Sequence, residues 1–373
     1  MRVFGTPASI DVQASVWRMF MLSQQNTSGL QVVQYYGYKW NRMYEGFGTK
    51  LSGGNDFFSS VSGPGSIIGS FTLSPNNNYL ACTFASGTIR VRIRAFIKSG
   101  AAEGPGPDIS AASFPQRGTT TPGAINWNAS EDVTFWSRNV SPYIYASTFS
   151  SGIFGTLYAA PFTAPTASGT MAINLVTSEV ALSADPGILG APAINAWTFS
   201  TSTGWGTKLS DPAAGFPTAQ GQYPPAFTKN GDAIVCQGTN SPYVFVYPWT
   251  AGTGFGTKYA DPADISFFNA VTGSNFNPTQ TVLGLVTGTG YVQPSLFFQW
   301  SSSTGFGTKY ASTPDLIGKP TWSPDGKSVG GGAEGTNTLT YPWNDSTGFG
   351  TQYSNPVEPL GAYGDSWTGF FSN

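Results

Sequence analysis

There is no histidine in this chain of 373 residues. That removes Ser-His-Asp and Cys-His catalysis, His-ligated metal sites and most general-base designs at once. Cysteine is nearly as scarce. Cys82 and Cys236 can supply neither a disulfide framework nor a zinc site, which fits manufacture in a reducing cytoplasm. Charged residues make up 10% of the chain, against about a quarter in ordinary globular proteins. No apolar run approaches the roughly 18 residues that span a bilayer, and Asp11 and Arg18 interrupt the apolar N-terminal region, so neither a membrane segment nor a signal peptide is expected. Helical periodicity is absent throughout. So are a G-x-S-x-G elbow, a phosphate-binding P-loop and a G-x-G-x-x-G in a βαβ setting.

What the chain has instead is glycine (47), proline (27) and aromatic residues (15%), a mixture suited to many short strands joined by tight turns. Its net charge of −2 is unevenly spread. Residues 1–138 hold all the arginines, with 11 basic against 7 acidic side chains, whereas residues 139–373 hold 6 lysines against 12 acids. A surface of two signs can orient docking. Neither half has the concentrated Lys/Arg surface that nucleic acid requires.

The most specific signal is a repeat: an aromatic, four or five small or polar residues, then G-[FW]-G-T-[KQ]-[YL]. Full copies start at Gly46, Gly204, Gly254, Gly305 and Gly348, and a decayed copy starts at Gly152. The gap from Gly46 to Gly152 is two periods, and the Gly/Pro-rich stretch Gly100–Pro107 fills the missing place, which makes seven units of about 50 residues. One unit shows the internal order: an apolar stretch at Pro225–Thr228, the turn Lys229–Asp232, a strand Ala233–Gln237, an alternating strand Tyr243–Trp249 and a last strand near Thr257–Ala260. Four short strands per unit is the pattern of a propeller blade. The reading is therefore an all-β, seven-bladed β-propeller, four antiparallel strands per blade, forming a single domain over 1–373. Trp367–Phe371, within Pro359–Asn373, resembles an innermost strand, so the C-terminal strand is expected to complete blade 1 and close the ring. Ser9–Ser15 is the rival for that place.

The turn Ser323-Pro324-Asp325-Gly326-Lys327 resembles WD-repeat and TolB-type propellers. The W-x(4)-G-F-G-T-K-Y-x-x-P unit is similar to repeats of propellers encoded by bacteriophages and some bacteria. The chain lacks the His and Trp-Asp signatures of true WD repeats. The resemblance implies a virion component made in the host cytoplasm, such as a tail, fibre or head-surface protein.

The repeated rings Trp40, Trp249, Trp300 and Trp343, with Phe199 at the same offset, and the motif rings Phe47, Trp205, Phe255, Phe306 and Phe349 are expected to pack between neighbouring sheets. Lys50, Lys208, Lys258 and Lys309 should lie on outermost strands, where a charge discourages pairing with another chain. Cys82 and Cys236 occupy equivalent positions three periods apart, too far for a disulfide, and read as small core hydrophobes.

Features present once are the candidates for recognition. Arg90, Arg92 and Arg94 share one face of an alternating strand at Thr88–Phe96, a docking stripe or a solvated face. Phe57 and Phe58 in the Ser52–Gly65 connection, and Phe114 and Arg117 in the longer Ala101–Gly123 connection, are residue types enriched in interfaces. Many of the 19 acids, Asp132, Asp211, Asp232, Asp261 and Asp325 among them, sit at turns, while Asp11, Glu179, Glu358 and Asp365 could approach inner strands. The sequence therefore points to a non-enzymatic module that contacts other proteins, without cofactor or metal; the alternative is a lectin-like, carbohydrate-binding propeller.

Overall fold

In the computed structural model the described residues are 17–27, 30–41, 46–50, 68–84, 91–97, 104–108, 122–138, 140–165, 169–184, 194–212, 224–238, 241–262, 271–287, 295–311, 314, 316–332, 338–354 and 367–371. They hold strands and turns and no helix. The strands group into seven four-stranded sheets. The first combines β1 (Trp17–Thr27), β2 (Leu30–Asn41) and β3 (Gly46–Lys50) with β28 (Trp367–Phe371), which pairs antiparallel with β1, Leu22 opposite Trp367. The second is β4 (Ile68–Leu73), β5 (Tyr79–Phe84), β6 (Val91–Ile97) and β7 (Gly104–Asp108). The third is β8 (Pro122–Trp127), β9 (Val133–Arg138), β10 (Ile144–Ser150) and β11 (Ile153–Leu157), and the fourth is β12 (Gly169–Ile173), β13 (Val180–Ala184), β14 (Ile194–Ser200) and β15 (Gly204–Lys208). The fifth holds β16 (Ala226–Phe227), β17 (Ala233–Gln237), β18 (Val244–Thr250) and β19 (Gly254–Phe255). The sixth holds β20 (Val271–Phe276), β21 (Val282–Thr287), β22 (Leu296–Ser301) and β23 (Gly305–Lys309), and the seventh β24 (Ile317–Trp322), β25 (Ser328–Gly332), β26 (Thr338–Asn344) and β27 (Gly348–Phe349).

In six of the sheets the strands lie in chain order, and in the first β28 lies beside β1. In the fifth, Thr228 closes the first turn: its backbone amide donates to the Ala233 carbonyl and its Oγ1 accepts from the Ala233 amide at 3.0 Å. The core lies between the sheets rather than on one side of them. Phe135, Val133 and Ile144 of the third sheet pack with Trp197 and Phe199 of the fourth; Ala181 and Ala196 of the fourth pack with Ile234, Phe245 and Trp249 of the fifth. The same arrangement joins the fifth to the sixth and the sixth to the seventh. Both faces of such a sheet are covered, so the middle strands read as unbroken buried runs, β9 and β17 among them.

The structure explains each position of the repeat. Its first glycine ends the turn before the outermost strand at positive φ, +81° at Gly305 and +82° at Gly348. A Cβ at Gly305 would stand 2.9 Å from Tyr259 of the preceding sheet, and one at Gly348 would stand 3.1 Å from Tyr310. So the last residue of one repeat sits on the first glycine of the next, and Leu209 covers Gly254 in the same way. The Tyr310 hydroxyl then donates to the Asp345 carbonyl at 2.5 Å, and that of Tyr158 to Thr201 at 2.7 Å. The two aromatics meet edge to face within a sheet, Trp249 on Phe255 at 4.9 Å and Trp343 on Phe349 at 4.9 Å, and Phe297 of the sixth sheet reaches both Trp343 and Phe349.

One sequence expectation is corrected. In the fifth sheet the outermost strand is Gly254–Phe255 rather than Thr257–Ala260, because the turn falls on the small polar residues before the glycine and the aromatic must pair opposite Trp249. Of the expected arginine strand, Thr88–Arg90 lie outside the described residues, and Val91–Ile97 is β6, with Ile93 fully buried. The stretch expected to replace the missing copy supplies β7, with Pro105 opposite Phe96.

Candidate active site

The first strand of each sheet lies beside the first strand of the next, β4 by β8, β8 by β12, and on through β16, β20 and β24 to β28. This row of innermost strands has almost no charge. Among the described residues it holds one ionisable side chain, Lys319 of β24. Ordinary pairing does not account for the backbone there. Ile317 lies opposite Gly332 and Thr321 opposite Gly330, so three residues, Gly318, Lys319 and Pro320, bulge against Gly331 alone. Such bulges re-aim side chains and recur next to active sites. The facing strand is Gly330-Gly331-Gly332, which leaves no side chain against the bulge. On the other side Asn275 of β20 donates its Nδ2 to the Pro320 carbonyl at 3.0 Å and holds the bulge in place.

Lys319 retains a minor share of its surface exposed, yet enclosure by protein holds its amine below the ordinary lysine pKa. Removing an ammonium from water favours the neutral amine, and this desolvation is the cause of the shift. A lysine in such a setting can accept a proton or attack a carbonyl.

The acids are otherwise engaged. Glu179, at the end of the first turn of the fourth sheet, is buried; its Oε2 accepts from Trp249 Nε1 at 2.6 Å and from Thr177 Oγ1 at 2.8 Å, and its Oε1 accepts from the Gly252 amide at 2.6 Å. Glu131 joins the second and third sheets, accepting from the Asn76 amide at 2.6 Å and Asn78 Nδ2 at 2.7 Å. Both are latches between sheets. Asp11, Glu358 and Asp365 lie outside the described residues. No group of His, Cys, Asp and Glu among the described residues could hold a metal ion.

Of the residues expected to recognise a partner, the structure gives the backbone placement of two. Phe57, Phe58, Arg90, Phe114 and Arg117 lie outside the described residues, and Arg92 and Arg94 are placed only by register, opposite Cys82 and Leu80. Trp249, Trp300 and Trp343 are buried, Trp205, Phe255, Phe306 and Phe349 partly buried, and Trp40 and Phe47 pair across β2 and β3. Cys236 is buried and burial pushes its thiol up. Lys208 and Lys258 pair with Asp211 and Asp261 at 2.6 and 2.5 Å. Sequence reasoning passed over Lys319. Its signal was a lysine before proline in an innermost strand where the other strands have no charge.

No family model matches the chain, and no curated protein does. Solved structures match over nearly its whole length. A Bacteroides uniformis protein provisionally described as a 6-phosphogluconolactonase shares 12% identity at a TM-score of 0.66, over 94% of this chain and 99% of that one. The periplasmic gluconolactonase of Pseudomonas aeruginosa gives 12% and 0.62 over 94% and 99%, and a Lactobacillus plantarum protein 12% and 0.65 over 95% and 99%. The fold is propeller-like.

That likeness corrects two expectations. The reading of the propeller as a non-enzymatic virion module, and the exclusion of catalysis for want of histidine, are overturned by neighbours described as lactonases.

Proposed function

We propose that the chain is a seven-bladed propeller, closed by Trp367–Phe371 in the first blade, and that it hydrolyses a cyclic ester of a sugar acid at the bulge that presents Lys319. The observation that carries this reading is a largely enclosed lysine on a three-residue bulge of the innermost strands, which among the described residues hold no other ionisable side chain. The full-length likeness to proteins described as lactonases supports it. In the reaction a water molecule adds to the ester carbonyl while Lys319 Nζ takes its proton. The carbonyl–ring-oxygen bond then breaks, and the departing oxygen recovers the proton from the ammonium. The product is the open hydroxy acid and the amine returns to its starting state. Because the base must be neutral, the rate should rise with pH through a value below lysine's usual 10.5.

Proton release from glucono-δ-lactone and from five-membered sugar lactones tests the reading, with spontaneous opening subtracted. Catalysis by the native chain, about 100-fold weaker in a Lys319→Met variant that folds at least as stably, is expected. Absence of turnover across that panel, or a fully active Lys319→Met, refutes it.

A further inference from the structure

We infer that the outer edge of the third blade is a self-association surface, through which two copies of this chain meet. Everywhere else the repeat puts a lysine or glutamine after its G-T pair. Lys208 and Lys309 end β15 and β23 and Lys258 follows β19, and Lys208 and Lys258 are paired with an aspartate at 2.6 and 2.5 Å. β11 has Leu157 at that position, 37% exposed, and Ile153 at its start, 59% exposed. Phe162, in the segment leaving β11, is wholly exposed. All six exposed large hydrophobics among the described residues, the others being Val140, Leu175 and Val176, fall within residues 140–176. No charged residue lies between Arg138 and Glu179.

β11 is the last strand of its sheet, and four of its five residues, Ile153 and Leu157 among them, are exposed. Edges of this kind are the ones proteins otherwise guard with charge. Three observations select a second copy as the occupant. The lysine-bearing edges would have to bury an ammonium to meet β11, whereas another β11 would not. The uncharged sector offers no ion with which to orient a charged partner. A net charge of −2 opposes self-association only weakly. A two-fold contact of like sectors also closes without leaving the edge free to propagate.

Sedimentation velocity over a concentration series tests this inference on the full chain. The native protein should show a monomer–dimer equilibrium. Leu157→Lys, which restores the residue of the other repeats, should weaken it by about tenfold or more, since the new ammonium would be buried unpaired. Phe162→Ser should act in the same direction, and it serves as the reporter if Leu157→Lys fails to fold. A native chain that stays monomeric throughout, or folded variants that dimerise as tightly as the native chain, overturns the inference.

Discussion

Replacing Gly305 by alanine should cost far more than replacing Gly252 by alanine, although both glycines have positive φ, +81° and +74°. Any L-residue placed there pays for the left-handed backbone, about 1–2 kcal/mol. At Gly252 that is the whole cost, since nothing stands within 4 Å of a Cβ. At Gly305 the new methyl would stand 2.9 Å from both Cβ and Cδ1 of Tyr259, whose ring packs edge to face on Trp300 at 5.2 Å. The tyrosine cannot move without leaving Trp300, and overpacking of this kind adds about 1–3 kcal/mol. Gly305→Ala should therefore destabilise by roughly 2–5 kcal/mol and Gly252→Ala by roughly 1–2. Urea unfolding of the two variants measures both. A cycle with Tyr259→Gly isolates the contact, because removing both the Cβ and the ring should lower the cost of Gly305→Ala to that of Gly252→Ala. If Gly252→Ala and Gly305→Ala cost the same, or if the cycle shows no coupling, the tyrosine seated on the next blade's glycine is not what fixes the repeat.

Glu179→Gln turns an amide donor toward the Trp249 indole or the Gly252 amide, both of which are donors, and should cost about 2–3 kcal/mol by urea unfolding; a loss under about 0.5 kcal/mol would remove the latch role. Lys319 should leave a signature in the pH dependence of stability. Its folded pKa lies below the unfolded 10.5, so the unfolded chain binds more protons between the two values, and stability contributed by this site rises with pH across that window. Lys319→Met should abolish this rise and be the more stable protein at neutral pH. Thermal melts from pH 7 to 10 compare the pair, and parallel curves would count against the enclosed amine.

Much of the fold was legible in the sequence because it repeats. The period, the four strands per unit and the buried aromatics each report a local constraint that recurs, and recurrence separates constraint from accident. The order within a unit was read nearly residue for residue in β17. The outermost strand was misplaced because a Gly-aromatic-Gly string resembles a turn, and only the ladder opposite Trp249 and Trp300 shows it to be a strand. Function was misread for the opposite reason. The argument from missing histidine treated catalysis as a matter of composition, whereas the amine of Lys319 is set apart by its environment.

The sequence by itself determined that the chain is all strand and turn, built of like units whose apolar residues must be buried between neighbours, since spacing and residue type dictate hydrogen bonding and burial locally. The tertiary structure decided which of six lysines in residues 139–373 loses its water, because that depends on a bulge, on three glycines across the ladder and on a neighbouring blade's asparagine. It also decided that Glu179 serves as a latch between blades rather than a catalytic acid. Burial and hydrogen-bond partners are set by elements far apart in the chain, and no local pattern carries them.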